Sequence, residues 1–309
     1  MTQFDVSVGI SPRQSFESWG AFVAELERDG VRRIWVIDSQ LAMKDVYAGL
    51  VVAALKTTRV GLGTGVTNAV TRHPSVTANA IAAVAEISHG RGLLGLGAGD
   101  SALYGIGLKP QRVAEVEAAI AFFRANVDAS VPIHLAVSQE RMCELAGRTA
   151  DGAIVMGPAQ PDMVRKQVEW IETGLDAAGR KRAGFEIAFM ATMSSSLDDV
   201  RSWASTQARL LGHYKELPAS LVRFRNEIAA SAESYDYAQH LSTTAEHSSV
   251  VSDDLTRALA IVGTSVECIG RLRDLQVVGI DAFIFPLAGR HRAERWRTIR
   301  DEVLAQVIV

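Results

Sequence analysis

Short apolar segments alternate with longer amphipathic segments along most of the chain. Eight of the apolar segments predict strands, at residues 4–10, 32–38, 59–66, 92–99, 131–137, 152–157, 185–193 and 281–289. The stretches between them carry apolar residues at helical spacing, and Thr264-Ser-Val-Glu267 is a capping box that opens one predicted helix. Near-continuous apolar strands that alternate with helices are typical of a parallel sheet buried on both faces.

Eight such β/α units predict a closed (β/α)8 TIM barrel of the α/β class. A doubly wound open sheet is the alternative, and it is disfavoured because the first β/α junction, GISPRQS, has a single glycine. We expect one domain over residues 1–309, with an insertion before the last β/α unit. Residues 213–257, rich in Ser, His, Tyr and charge, predict this insertion, either as a solvated helical excursion or as a lid over the barrel mouth.

Composition argues against several classes of protein. The chain has 309 residues and a formal net charge of −3, which gives no general attraction to nucleic acid or to a membrane surface. No apolar run approaches the roughly 18 residues of a membrane span, and the first residues do not resemble a signal peptide. The two cysteines, Cys143 and Cys268, lack metal-binding spacing, so we expect a reduced, cytoplasmic protein.

The segment from Arg59 to Leu108 contains the candidate chemistry. Two glycine-rich strands, GLGTGV and GLLGLGAG, bracket a helix that begins at Pro74. Glycine weakens a strand and often marks a place where another group approaches the backbone closely. Polar residues follow both strands, at the carboxyl ends where parallel α/β proteins place their sites. These residues are Thr67, Asn68, Thr71, Arg72, His73, Asp100 and Ser101.

Three titratable residues at predicted strand ends, Asp38, His73 and Asp100, are candidate acid or base groups. For His73 the alternatives are a polar helix cap and an anion contact shared with Arg72, and for His134 a core histidine is favoured over a functional side chain that points into the barrel. The GLGAGD stretch does not match a dinucleotide fingerprint, because Asp100 follows where a pyrophosphate would bind. No metal site is predicted, since no cluster of histidines or carboxylates has ligand spacing. The predicted strands lack lysine, which argues against an aldolase-type barrel.

The same segment resembles the luciferase-like monooxygenase superfamily, through its TGVTN-x-x-TRHP and GxGxGDSA stretches. Further matches at residues 34–40, 149–159 and 260–285 extend the resemblance over most of the chain, with 213–257 the least familiar part. Within the superfamily, the sequence is most similar to the methylenetetrahydromethanopterin reductase-like branch. The resemblance implies FMN or the deazaflavin F420 at the barrel mouth and a homodimer packed through the early helices.

The resemblance also implies particular site residues. It implies a non-prolyl cis peptide near Gly65-Val66, behind the cofactor ring. It places Thr67 and Asn68 at the polar edge of the ring, and Gly99, Asp100 and Ser101 on the side of the fourth strand. The implied phosphate contacts are Ala136, Val137, Ser138, Gly157 and Pro158. The family often has Ser-Gly-Pro after the fifth strand, whereas this chain has Ser138-Gln139-Glu140, so the phosphate geometry there departs from the family pattern.

The implied function is that of a flavin- or deazaflavin-dependent oxidoreductase acting on a small organic substrate. One form is a two-component monooxygenase that receives reduced FMN from a separate flavin reductase. The other is an F420-dependent reductase or dehydrogenase that exchanges hydride with an electrophilic carbon. The alternative is a non-catalytic flavin-binding member of the fold, whose barrel mouth would be plugged by side chains. The sequence leaves these readings open.

Overall fold

The apolar segments of the sequence form eight parallel barrel strands. The computed structural model describes residues 3–128, 130–236, 250–287 and 292–306. Within these residues the barrel strands are Gln3–Val8 (β1), Arg33–Val36 (β2), Gly61–Thr64 (β3), Gly92–Leu96 (β4), Ile133–Val137 (β5), Gly152–Met156 (β6), Glu186–Met190 (β7) and Ala282–Leu287 (β10). They are hydrogen-bonded in the closed order β1-β10-β7-β6-β5-β4-β3-β2. The predicted barrel is confirmed, because each strand has two neighbours and an open sheet would leave two edges.

Helices connect the strands and form the outer layer. They are Phe16–Arg28 (α1), Val46–Lys56 (α2), Pro74–Ile87 (α3), Asp100–Tyr104 (α4), Val113–Asn126 (α5), Glu140–Thr149 (α6), Pro161–Ala177 (α7), Leu197–Leu211 (α8), Arg225–Glu233 (α9), Asp253–Leu259 (α10), Ser265–Val277 (α11) and Arg292–Thr298 (α12). Side-chain caps fix several starts: Asp45 accepts from Ala48 N at 2.9 Å, and the predicted capping box of Thr264 and Glu267 is present. Each cap satisfies amide groups that a helix start leaves unpaired.

Apolar side chains fill two regions. The larger cluster lies between the barrel and the outer helices, and it includes the fully buried Trp19 and Phe123. A smaller cluster is made largely of alternate strand residues, among them Trp35, Ile154 and Ile284. Strand side chains alternate between faces, so the second cluster fills the barrel interior.

Charged residues form a network at the amino-terminal end of the barrel. Arg32 donates to both carboxylate oxygens of Asp5, at 2.8 and 2.9 Å, and also to Glu186. Arg33 donates to Glu186 as well. Burial alone would raise the pKa of Glu186, but the neighbouring His134, Arg32 and Arg33 bring that pKa far below its ordinary value of 4.5. This end of a barrel ordinarily serves stability rather than catalysis.

We expect Glu186→Gln to lower the free energy of unfolding by about 2 kcal/mol near neutral pH, because Arg32 and Arg33 lose a partly buried counter-charge while Arg32 keeps Asp5. A carboxylate whose pKa is lowered by folding stabilises the folded state fully when the pH is above the pKa of the unfolded chain. This stabilisation is lost as the pH falls from that value towards the lower pKa of the folded state. The difference between wild type and variant, measured by urea unfolding between about pH 6 and about pH 3, should therefore shrink at acid pH.

Glu117 provides a matched control for Glu186. Its Oε1 lies 3.5 Å from Arg148 Nη2, and the side chains of Glu117 and Arg148 are 46% and 33% exposed. Exposed pairs contribute little, so Glu117→Gln should change the unfolding free energy by less than about 0.5 kcal/mol. Equal effects of the two substitutions would contradict the stabilising role of the buried network.

The chain between β7 and α11 departs from the simple β/α repeat. Met193–Ser194 (β8) and Ile261–Val262 (β9) form a separate two-stranded parallel sheet. Between them, α8, a 3-10 helix at Ala219–Phe224, α9 and α10 share an apolar cluster of their own. The structure describes residues 213–236 and 250–257 of the predicted insertion; residues 237–249 lie outside the described part of the chain.

Candidate active site at the carboxyl end of the barrel

Asp38 is the centre of a polar network just after β2. Its side chain is almost fully buried. Oδ2 accepts a hydrogen bond from Thr67 Oγ1 at 2.7 Å and from Arg72 Nη1 at 2.5 Å, and Oδ1 accepts from Gln40 Nε2 at 2.8 Å. The neighbouring strands β2 and β3 are parallel, so their carboxyl ends bring these residues together. A buried carboxylate held by a guanidinium and a hydroxyl fixes the position of the turn after β3.

Arg72 extends this network to α2. Its second amino group donates to Asp45 Oδ2 at 3.0 Å, and its guanidinium lies 5.3 Å from the centre of the Tyr47 ring. Burial would lower the pKa of Arg72, but hydrogen bonds and attraction from Asp38 and Asp45 raise it, so Arg72 stays charged. Burial raises the pKa of Tyr47 to about 12, so this phenol stays protonated at neutral pH.

The ends of β3 and β4 carry the residues that the resemblance implied for the cofactor ring. The Gly65-Val66 peptide is cis, as predicted. Beyond it the chain returns to β4: Thr67 N donates to Gly95 O, and Gly97 N donates to Thr67 O, both at 2.9 Å. Asn68 is 1% exposed; its Oδ1 accepts from the amides of Val70 and Thr71 at 3.0 and 2.9 Å. Asn68 Nδ2 has no hydrogen-bond partner within the described residues.

The fourth strand ends in a short helix that sequence patterns did not predict. Gly99 has φ +87°, a left-handed conformation that suits glycine, and Asp100 and Ser101 begin α4 immediately after it. Asp100 forms an ion pair with Arg209 of α8, a residue that is 2% exposed. The predicted residue Asp100 therefore lies between β4 and the helix that follows β8.

The ends of β5 and β6 are joined by one buried amide. Gln167 Nε2 of α7 donates to the carbonyl of Ser138 at 2.8 Å and to that of Met156 at 3.1 Å. The Tyr214 hydroxyl also donates to the Ser138 carbonyl. Ala136 and Val137 lie within β5, while Gly157 and Pro158 follow β6 directly. The structure thus brings the five residues implied for the phosphate to two adjacent strand ends, although Glu140 in the first turn of α6 opposes an anion there.

The prediction that other groups approach the backbone at the glycine-rich strands is confirmed, and at three of these glycines the approaching groups belong to the protein itself. A Cβ atom at Gly63 or Gly65 would lie 2.7 or 2.6 Å from side-chain atoms of Trp35. One at Gly95 would lie 2.0 Å from the Thr64 carbonyl oxygen and 3.1 Å from the Trp35 ring. These three glycines therefore make room for a buried tryptophan and a close strand pair. Gly97 differs, since its Cβ would meet Val66 and Ala136, near the cis peptide.

The two histidines considered from sequence lie away from Asp38's network. His73 is exposed and caps α3: its Nδ1 lies 2.8 Å from Ser75 Oγ and accepts from Ser75 N at 3.2 Å. His134 is buried in β5, with Nε2 3.7 Å from Glu186 Oε1 at the opposite end of the barrel. The described residues contain no group of three or more His, Cys, Asp or Glu side chains placed to hold a metal ion.

The sequence pattern of one family covers almost the whole chain. The luciferase-like monooxygenase pattern matches residues 1–105 and 107–282. The chain belongs to the luciferase-like monooxygenase family. No helix in the described part of this family member is long and apolar enough to cross a membrane.

Individual members of the family show similar coverage. A 5,10-methylenetetrahydromethanopterin reductase from Methanolobus tindarius is 27% identical over 283 residues, which are 84% of this chain and 86% of the relative. The enzyme of the same name from Archaeoglobus fulgidus is 29% identical over 289 residues, with the same two shares. Among solved structures, the coenzyme F420-dependent tetrahydromethanopterin reductase from Methanopyrus kandleri has the same fold, with a TM-score of 0.75, 19% identity and 99% coverage of both chains.

The sequence did not predict that α8 contributes side chains to the carboxyl end of the barrel. Trp203 of α8 belongs to the interior cluster whose other fully buried members all lie on barrel strands. Arg209 and Gln207, on the same helix, are at most 2% exposed. Their burial follows from contacts between segments that are distant in sequence. The one sequence feature that could have drawn attention to this helix is the presence of a tryptophan, a glutamine and an arginine within it.

Proposed function

We propose that this protein is an F420-dependent oxidoreductase that transfers hydride to or from a small organic substrate at the ends of β3 and β4. The observation that carries the proposal is Asn68. Its carbonyl oxygen is used by two backbone amides, whereas its amide nitrogen is buried without a partner among the described residues. A buried donor of this kind is costly unless a ligand accepts its hydrogen bond.

The surrounding residues fit a flat, polar-edged cofactor. Thr71 Oγ1 is a second buried polar atom without a partner in the described structure. A side chain at Gly97 would lie 2.9 Å from Val66, so glycine there leaves the face of the cis peptide open. Thr67, Asn68, Gly99 and Ser101 would hold the ring, and the β5 and β6 ends would hold the phosphate.

The assignment of hydride transfer rests on the sequence relatives. Two proteins that match 84% of this chain, at 27% and 29% identity, are named methylenetetrahydromethanopterin reductases. F420, when bound, supplies two-electron hydride chemistry. The protein's own residues position and shield it: Asp38 and Arg72 fix the turn that carries Asn68, and protonated Tyr47 adds no charge beside them.

Titration with reduced F420 and with reduced FMN, each with and without oxygen, tests this proposal. We expect F420 to bind with micromolar or lower dissociation constant and to remain reduced in air over the time of the measurement. Rapid, protein-dependent oxidation of reduced FMN through an oxygen adduct would instead support the monooxygenase reading. Absence of binding by either cofactor would overturn the proposal.

One observation favours a second candidate, a non-catalytic flavin-binding protein. Trp203 packs into the cluster at the barrel interior, beside Val66 and Met156, as a side-chain plug would. Such a protein would bind cofactor but would not exchange hydride with any acceptor. Stopped-flow measurement of F420 absorbance with a panel of imines, ketones and alcohols separates the two, because only an enzyme changes the redox state of the bound cofactor.

We also propose that the protein is a homodimer packed through α2 and α3. These helices lie side by side, and their outward surface contains several apolar residues. Leu55 is 70% exposed and Val76 is 54% exposed. Large exposed apolar side chains on outer helices are characteristic of protein interfaces.

Replacing Leu55 and Val76 together with glutamate should convert the dimer to a monomer, because charges would be desolvated at the interface. Sedimentation velocity measures the change in mass. Val277→Glu is the control: this residue is 85% exposed at the end of α11, away from the proposed interface. A monomeric wild-type protein, or an unchanged dimer in the double variant, would contradict this arrangement.

A further inference from the structure

Helix α8 lies across the carboxyl end of the barrel. Ten of its fifteen residues are buried, and they include polar as well as apolar side chains. Trp203 enters the interior cluster together with strand residues such as Trp35 and Met190, and Val66 packs against the same cluster. The adjacent side of the helix, including Ala204 and Ala208, packs against the cluster shared with α9 and α10. The helix is therefore placed between the barrel and the small helical unit that follows it.

Two polar contacts join this region to the strand ends. The buried guanidinium of Arg209 pairs with Asp100 at the start of α4. Just beyond the helix, the Tyr214 hydroxyl donates to the carbonyl of Ser138, after β5. The two contacts connect to neighbouring strands, β4 and β5, which form part of the proposed cofactor site. The side of α8 that carries Trp203 is directed to the barrel interior, because Trp203 belongs to the interior cluster against which Val66 packs.

This side of α8 carries three buried polar atoms without partners. Trp203 and Gln207 are one helical turn apart and lie on the same side of α8. Trp203 is 6% exposed and Gln207 is fully buried. Within the described structure, Trp203 Nε1 and both amide atoms of Gln207 make no hydrogen bond. Buried polar groups are nearly always paired, so three unpaired atoms on one helical turn indicate a ligand.

A second buried glutamine provides an internal comparison. Gln167 is also fully buried, but its nitrogen donates to two backbone carbonyls and joins β5 to β6. These contacts account for its nitrogen, while its Oε1 has no partner among the described residues. Gln207 is equally buried, but neither of its amide atoms has a partner among the described residues.

We propose that Gln207 and Trp203 recognise the substrate, and that the substrate carries a lactam or carboxamide edge on an apolar, planar body. This inference rests on the proposed function, because it assigns the substrate side of the same site. The Gln207 amide has one acceptor and two donor hydrogens, which match the N–H and C=O of a lactam. The indole N–H of Trp203 can donate a further hydrogen bond, and its ring suits a flat apolar partner.

Matched small molecules test this recognition without turnover. 2-Quinolone carries a lactam on a planar body, 1-methyl-2-quinolone lacks the N–H donor, and quinoline lacks the carbonyl. By isothermal titration calorimetry, the wild-type protein should bind 2-quinolone at least about tenfold more tightly than either analogue, since sites that pair a polar edge reject analogues that lack it. Equal binding of the three compounds, or binding of none, would overturn the inference.

Variants then locate the recognition on α8. Gln207→Met, which keeps an unbranched side chain of similar length, should remove the preference for the lactam, and Trp203→Phe should reduce it. Leu210→Ala, an apolar change on the same side of the helix, should leave the preference unchanged. Retention of the preference in Gln207→Met would contradict the assignment, and thermal unfolding with far-ultraviolet circular dichroism identifies any variant that fails to fold.

Cofactor titration of the same variants distinguishes this inference from the proposed function. Gln207→Met should bind reduced F420 within about threefold of wild type, because the cofactor and the substrate occupy different sides of the site. A parallel loss of cofactor affinity would place Gln207 on the cofactor and overturn the inference. If the wild-type protein binds the lactam but neither F420 nor FMN, the proposed function fails while the recognition by α8 stands.

Discussion

Replacing Asp38 with asparagine is expected to weaken the binding of reduced F420 about tenfold to a hundredfold, the equivalent of one to two charge-assisted hydrogen bonds. The carboxylate accepts from Thr67, Arg72 and Gln40 in a buried position. An amide cannot accept from all of them, so the turn after β3 would lose its fixed position, and with it the placement of Asn68. Fluorescence titration with F420 measures the effect directly.

Asp45 is the control for this substitution. It contacts the same guanidinium, at 3.0 Å from Arg72, but its side chain is 52% exposed. Asp45→Asn should change the affinity for F420 by less than about threefold, since exposed ion pairs contribute little. If Asp38→Asn behaved like Asp45→Asn, the buried carboxylate would not organise the site.

Gly95→Ala is expected to lower the free energy of unfolding by at least about 3 kcal/mol, and it is the largest stability effect that we predict for a single methyl group. The new Cβ would lie 2.0 Å from the backbone oxygen of Thr64. Thr64 is itself fixed, because its hydroxyl donates to Gly95 O at 2.7 Å and accepts from Gly95 N at 3.0 Å. The clash between the new Cβ and the Thr64 oxygen could be removed only if β3 and β4 moved apart.

Gly270→Ala is the matched control for this clash. Gly270 lies within α11, and a Cβ there would meet no atom within 4 Å. Alanine in a helix is favoured over glycine by roughly 1 kcal/mol, so this variant should be as stable as the wild type or more stable. Urea unfolding of both variants decides the point, and an unaltered midpoint for Gly95→Ala would show that the two strands are not packed as described.

The barrel was predictable because its signals are local. Apolar runs of strand length alternate with amphipathic segments, and this pattern by itself requires a parallel sheet buried on both faces. Helix starts with side-chain caps, such as Thr264, also depend on residues close in sequence. The short helix α4 was missed since five residues provide too little periodicity for detection.

The site was only partly predictable because its contacts join distant residues. Asp38 and Arg72 are 34 positions apart, and their pairing depends on the adjacency of β2 and β3. The glycines of β3 and β4 indicated that other groups approach the backbone closely, and three of them accommodate the side chain of Trp35 or a neighbouring backbone. Sequence shows that space is required beside a glycine; it does not show which group fills it.

Sequence patterns did not single out the helix that reaches the barrel interior, and the lid over residues 213–257 stays a prediction. Composition drew attention to residues 213–257, whereas the helix that reaches the barrel interior, α8, begins at Leu197. Its position directly after the seventh barrel strand and the short strand β8 is that of an ordinary outer helix. Trp203, Gln207 and Arg209 are buried by contacts with residues that are distant in sequence, so their burial is known only from the folded structure.

Hydrogen–deuterium exchange on addition of F420 tests the central claim most directly, because it reports where the cofactor binds. We predict protection of the backbone at residues 65–72 and 97–105, at the ends of β3 and β4. The amino-terminal end of the barrel, around Arg32, Arg91 and Glu186, should remain unchanged and serves as the internal control. Protection confined to that opposite end, or absence of protection at saturating F420, would contradict the proposed site.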